Sequence, residues 1–124
     1  MIAIPDLILL TLAVGLGIYL GIQYLRRARP RPVLVGAHLL SGAAAMEGMV
    51  IVFHGTPSGA ALKPGLLGFV AAGLIALAMF SGLIAGLIAR RSRRTADISL
   101  ASHAAIATLG VVLFLVWLTK ETAT

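Results

Sequence analysis

Four long apolar stretches, separated by short polar connections, organise the chain: residues 7–25, 33–53, 66–89 and 98–118. A bilayer core about 30 Å thick takes about 20 residues of helix. Each stretch is at least 19 residues long. The prolines Pro5, Pro30, Pro32, Pro57 and Pro64 all fall outside them, where helix breakers belong. A span in hydrocarbon must satisfy its own backbone, so these stretches predict helices. The expected fold is an all-α membrane protein, with residues 1–124 forming a single four-helix transmembrane domain. Short connections force neighbours to run antiparallel, and an up-down four-helix bundle is the simplest result.

Charge sets an expected direction. The first connection carries Arg26, Arg27, Arg29 and Arg31, and the third carries Arg90, Arg91, Arg93 and Arg94. The opposite side has only Lys63 and Lys120. Positive loops stay cytoplasmic. Both termini and residues 55–65 are therefore expected outside, on the periplasmic side of a bacterial inner membrane. The start, MIAIPD, lacks the basic region of a signal peptide, so the first stretch reads as a retained span.

Composition narrows the class. Of 124 residues, 60% are hydrophobic and 11% charged, with a mean hydropathy of +1.05. Soluble domains run at about 45–50% apolar and about 25% charged. A soluble enzyme, a disordered tail and a fibrous repeat are excluded. The absence of cysteine removes disulfides, thiolate metal sites, iron–sulfur clusters and covalent haem attachment. The net charge of +6 sits in short loops between apolar runs, which suits a lipid bilayer and not nucleic acid.

Two histidines then stand out. His38 lies five residues into the second stretch and His103 five residues into the fourth. Both helices are expected to enter from the cytoplasmic side, which puts both rings about 7–8 Å inside the apolar boundary. His38 shares a helical stripe with Ser41, Gly42, Ala45 and Met49; His103 shares one with Ser99, Ala107, Gly110 and Phe114. The other two helices thin at the same level, with Gly17 and Gly21 in the first and Gly82 and Gly86 in the third. Such GxxxG pairs ordinarily mark close helix packing. Four helices thinning around one histidine pair also leave room for a flat macrocycle.

The chemistry this suggests is bis-histidine ligation of one b-type haem, with His38 and His103 as metal ligands. Ser41, Gly42, Gly17, Gly21, Gly82 and Gly86 would line the macrocycle. Arg26, Arg27, Arg90 and Arg91 lie at the level of its anionic propionates, and Tyr24 and Ser99 could add hydrogen bonds. Six-coordinate iron has no vacant position, so its task would be one-electron transfer. A chlorin-type pigment, another metal, or plain hydrogen bonding between helices would use the same two residues.

With spans of this number and histidines on the second and fourth, the chain resembles the small membrane b-type cytochromes of the cytochrome b561 superfamily. The resemblance covers the whole chain and rests on His38 and His103. It implies a haem-binding bundle that passes electrons. That superfamily often carries two haems and four ligating histidines; here there is one matched pair.

Glu47 is the charged residue deepest in a span. It lies nine residues beyond His38, about 900° around the helix and so on the opposite face. A lipid-facing carboxylate is costly unless protonated or covered. A second copy of the chain, a larger membrane complex, a quinone headgroup or an adjacent helix could cover it. His54 shares Glu47's face at the outer end, and Trp117 reads as an interface anchor. Three functions remain open: an electron-transfer protein or subunit, a cofactor-free accessory or assembly subunit, and a small oligomeric transporter. No HExxH motif is present, and no Ser–His–acid set falls at one depth.

Overall fold

The computed structural model describes residues 3–54, 64–88 and 92–122. They form four α-helices: α1 (Ala3–Leu25), α2 (Pro32–His54), α3 (Gly65–Ile88) and α4 (Arg93–Thr122). All four are long and apolar enough to cross a membrane, with hydropathies between 1.5 and 2.3. The protein is an all-helical membrane protein.

The helices run past the apolar stretches that predict them. α1 takes in Pro5, and α2 begins on Pro32. Neither proline breaks anything, because first-turn N–H groups have no intrahelical partner to lose. α4 gains Arg93, Arg94 and Asp97 at one end and Lys120 and Glu121 at the other. Helical hydrogen bonding does not stop where the apolar run stops, so charged turns flank it.

The first connection is tightly built. The Arg27 N–H donates to the Tyr24 carbonyl at 3.0 Å and the Ala28 N–H to the Gln23 carbonyl at 2.9 Å. This is a Schellman stop, and Arg27 takes its left-handed position at φ 57°. Pro30 and Pro32 then prevent continuation. The Arg31 carbonyl accepts from Leu34 and Val35 and so opens α2.

The chain divides into two compact units, Met1–Thr56 and Pro57–Thr124. Each is a hairpin of antiparallel helices, α1 on α2 and α3 on α4. In the first, Leu10 and Ala13 pack with Ser41, Ala45, Met49 and Val52, which recur every three or four residues along one face of α2. In the second, α3 buries Gly68, Ala71, Ile75, Ala78 and Ala85, and α4 buries Ala96, Phe114 and Trp117. These faces are rich in small residues, which let helix backbones approach. A Cβ added at Gly110 would lie 3.1 Å from the Ile75 backbone nitrogen. Trp117 is buried in the second hairpin; its indole covers Gly68 and stacks at a tilt on Phe114, with centroids 5.6 Å apart. Large apolar residues such as Ile8, Ile18, Leu66, Phe69 and Leu87 stay exposed on the outer faces. In lipid that exposure costs nothing, because the solvent is as apolar as they are.

Candidate functional site

Each hairpin holds its histidine in the same way. The Nδ1–H of His38, on α2, donates to the backbone carbonyl of Ala13, on α1, at 2.8 Å. The Nδ1–H of His103, on α4, donates to the carbonyl of Ala78, on α3, also at 2.8 Å. In both cases donor and acceptor are 25 residues apart. A carbonyl can only accept, so Nδ1 carries the proton and Nε2 the lone pair in each neutral ring. In a membrane such a bond between helices contributes about 0.6 kcal/mol on average.

A glycine makes each approach possible. A Cβ at Gly17 would meet His38 Cε1 at 3.0 Å, and one at Gly82 would meet His103 Cε1 at 2.7 Å. Each glycine stands one helical turn after the accepting residue, so its bare Cα forms the floor beneath the ring. Gly21, Gly86 and Gly42 have nothing within 4 Å of the position a Cβ would take. The two GxxxG pairs therefore divide: Gly17 and Gly82 seat histidines, and Gly21 and Gly86 leave open surface.

Other side chains support the rings indirectly. Ser41 is buried, and its hydroxyl donates to the His38 carbonyl at 3.1 Å, steadying the turn that carries the ring. Ser81 donates to the Ala78 carbonyl at 2.9 Å, the oxygen that also receives His103, and its Oγ lies 3.3 Å from His103 Nδ1. Arg26 is exposed at the end of α1, and Arg90 lies outside the described residues. Glu47 and His54 are both exposed on α2, and the His54 Nδ1–H donates to its own helix at Val50, 2.9 Å away. Asp6, at the edge of the first apolar stretch, is buried in the first hairpin with its carboxyl group against Gly48.

Among the described residues no group of three or more His, Cys, Asp or Glu is placed to hold a metal ion. A bare ion chelated by side chains alone has no support here. A metal already held by a macrocycle needs only one or two protein ligands.

The accepting residues Ala13 and Ala78 were not singled out by sequence reasoning, and neither was Ser81. A signal was present. At a constant spacing of 65 residues, Leu9, Leu12, Ala13, Gly17, Gly21, Arg26, Arg29 and His38 recur as Leu74, Leu77, Ala78, Gly82, Gly86, Arg91, Arg94 and His103. The shared pattern runs over residues 9–38 and 74–103 and contains both the histidine and its seat. Compared with known protein families, curated proteins and solved structures, the chain matches none.

Proposed function

We propose that the chain is a membrane electron-transfer protein, or a subunit of an oxidoreductase complex. In this reading Nε2 of His38 and Nε2 of His103 would hold one b-type haem. The observation that carries the reading is the repeated histidine seat. Metal-bound histidines almost always give their second ring N–H to a carbonyl, carboxylate or water, which fixes the tautomer and raises ligand basicity. Both histidines here have that bond, and both carry the lone pair on Nε2. When bound, the group supplies one-electron transfer.

The finer topology belongs to the same proposal. Both Arg-rich connections face the cytoplasm, both termini face the periplasm, and the four helices form an up-down bundle in a bacterial inner membrane. The histidines are then at one depth near the cytoplasmic face, with Arg26 and Arg90 at the level of the propionates. One haem does not cross the bilayer, so a quinone or a partner complex exchanges electrons with it. A second copy or that complex covers Glu47. The relationship to the cytochrome b561 superfamily is part of this proposal.

One observation favours a second reading. Each histidine closes a hydrogen bond within its own hairpin, and such bonds also serve as glue between helices. A cofactor-free accessory subunit would use them in that way. Visible spectra of the detergent-purified protein, oxidised and reduced, separate the two. The electron-transfer reading expects a Soret band with sharp reduced α and β bands, lost in both His38→Ala and His103→Ala. A colourless wild type from haem-sufficient cells refutes it and leaves the accessory subunit.

A further inference from the structure

The first connection gathers four arginines, Arg26, Arg27, Arg29 and Arg31, within six residues, and all four are exposed. Its backbone is fixed at both ends, by the Schellman stop on α1 and by Pro30 and Pro32 at the start of α2. Arg27 occupies the left-handed position, which glycine holds with less strain, and so places a charge where the backbone favours no side chain. No carboxylate of this hairpin can neutralise the cluster. The only acids of the unit are Asp6 and Glu47. Asp6 lies 20 residues before Arg26 along α1, about 30 Å away, and Glu47 lies 15 residues beyond Pro32 along α2, about 22 Å away. The second connection differs. At the same 65-residue spacing, Arg26 and Arg29 have the counterparts Arg91 and Arg94, whereas Arg27 and Arg31 fall on Ser92 and Ala96. Asp97 follows Arg93 and Arg94 by four and three residues on α4, the spacing at which opposite charges on one helix meet.

Apolar side chains flank the cluster. Leu25 precedes it and Val33 follows it, and each is 79% exposed. Water penalises large apolar side chains displayed in that way, and acyl chains do not. Guanidinium groups beside exposed apolar side chains match a molecule with a phosphate head and hydrocarbon tails. A free phosphate or a nucleic acid would leave the apolar half unused. We propose that the first connection binds an anionic phospholipid of the surrounding bilayer, with Arg27, Arg29 and Arg31 on the headgroup phosphate and Leu25 and Val33 against the upper acyl chains. The planar fork of arginine matches phosphate oxygens bidentately. Clusters of basic residues at the end of a transmembrane helix attract anionic lipid. Lipid binding here needs no haem, and Arg26, placed above at the level of the propionates, is left unaltered in the test.

The test is native mass spectrometry of the full-length protein in detergent, titrated with phosphatidylglycerol and with phosphatidylcholine of the same acyl chains. The wild type binds phosphatidylglycerol ahead of phosphatidylcholine. Each of Arg27→Gln, Arg29→Gln and Arg31→Gln weakens the phosphatidylglycerol binding about fivefold. The triple glutamine variant binds the two lipids alike. The triple lysine variant, which keeps the charge without the planar fork, falls between that and wild type. Arg93→Gln combined with Arg94→Gln leaves the preference in place. Circular dichroism follows the fold of every variant, and the single substitutions carry the test if a triple variant loses helix. Equal binding of the two lipids by the wild type overturns the proposal. So does a preference that survives the triple glutamine variant, or one lost equally in the Arg93→Gln, Arg94→Gln protein, because charge at any connection would then suffice. Displacement of the lipid by millimolar inorganic phosphate would show a free-anion site and overturn the lipid as its occupant.

Discussion

Substituting alanine for glycine at positions 17, 21, 82 and 86 separates a seat for a ring from mere thinning of a helix. At Gly82 the new methyl would sit 2.7 Å from His103 Cε1 and 3.0 Å from its Nδ1. Non-bonded carbons prefer about 3.5–4.0 Å, so the imidazole must move by about 0.8 Å or more. A displacement of that size takes the Nδ1–H out of reach of the Ala78 carbonyl. Overpacking of this kind costs about 1–3 kcal/mol. The lost bond adds about 0.6 kcal/mol. Removing a helix-interior glycine returns about 1 kcal/mol. The net is a loss of about 0.6–2.6 kcal/mol for Gly82→Ala. At Gly17 the closest approach is 3.0 Å and Nδ1 stays at 3.5 Å, so the ring yields less and the loss is smaller. Gly21→Ala and Gly86→Ala meet nothing within 4 Å and keep only the propensity gain. The expected order of stability is Gly86→Ala and Gly21→Ala at or above wild type, then Gly17→Ala, then Gly82→Ala. Denaturant unfolding of the full chain in micelles measures it, and ring nitrogen spectra report whether each Nδ1 bond survives. Gly82→Ala as stable as Gly86→Ala, with the His103 resonance unmoved, would refute the argument that the ring rests on that glycine.

Further outcomes follow from the same geometry. Gly48→Ala displaces the Asp6 carboxyl and destabilises the first hairpin by about 1–3 kcal/mol; adding Asp6→Ala restores most of the loss, and a double-mutant cycle that comes out additive would show that the two do not touch. Arg27→Gly relieves a left-handed side chain and stabilises by about 1 kcal/mol in the same unfolding assay. Glu47→Leu leaves the visible spectrum of the loaded protein unchanged, because Glu47 lies off the buried stripe of Ser41, Ala45 and Met49; a lost Soret band would place it in the site. The chain has no cysteine, so single cysteines introduced at Ala28 and Ser58 can be labelled without background. Reagent applied from the outside should reach only position 58, and labelling of position 28 would reverse the topology.

The letters of the sequence determined the helices and their medium. Apolar stretches of bilayer length leave the backbone no other structure, although the helices run past the ends of those stretches and take in Pro5, Arg93 and Arg94. The stripe Ser41, Ala45 and Met49 was legible because a period of 3.6 residues maps sequence onto one face of a helix. The equal placing of His38 and His103 could also be read by counting from the edges of the stretches. What each ring touches could not. Every helical residue carries a carbonyl, so nothing marks Ala13 or Ala78 as an acceptor until the two helices are packed at a particular height. The same holds for the glycines: Gly17 and Gly21 are alike in composition and spacing, and only the register of α1 against α2 puts the first under an imidazole and leaves the second bare. The burial of Asp6 on Gly48 and of Trp117 on Gly68 has the same cause. Periodicity states which face of a helix is turned inward, whereas the sliding position of one helix along its neighbour is a sum of many small contacts that only tertiary packing resolves.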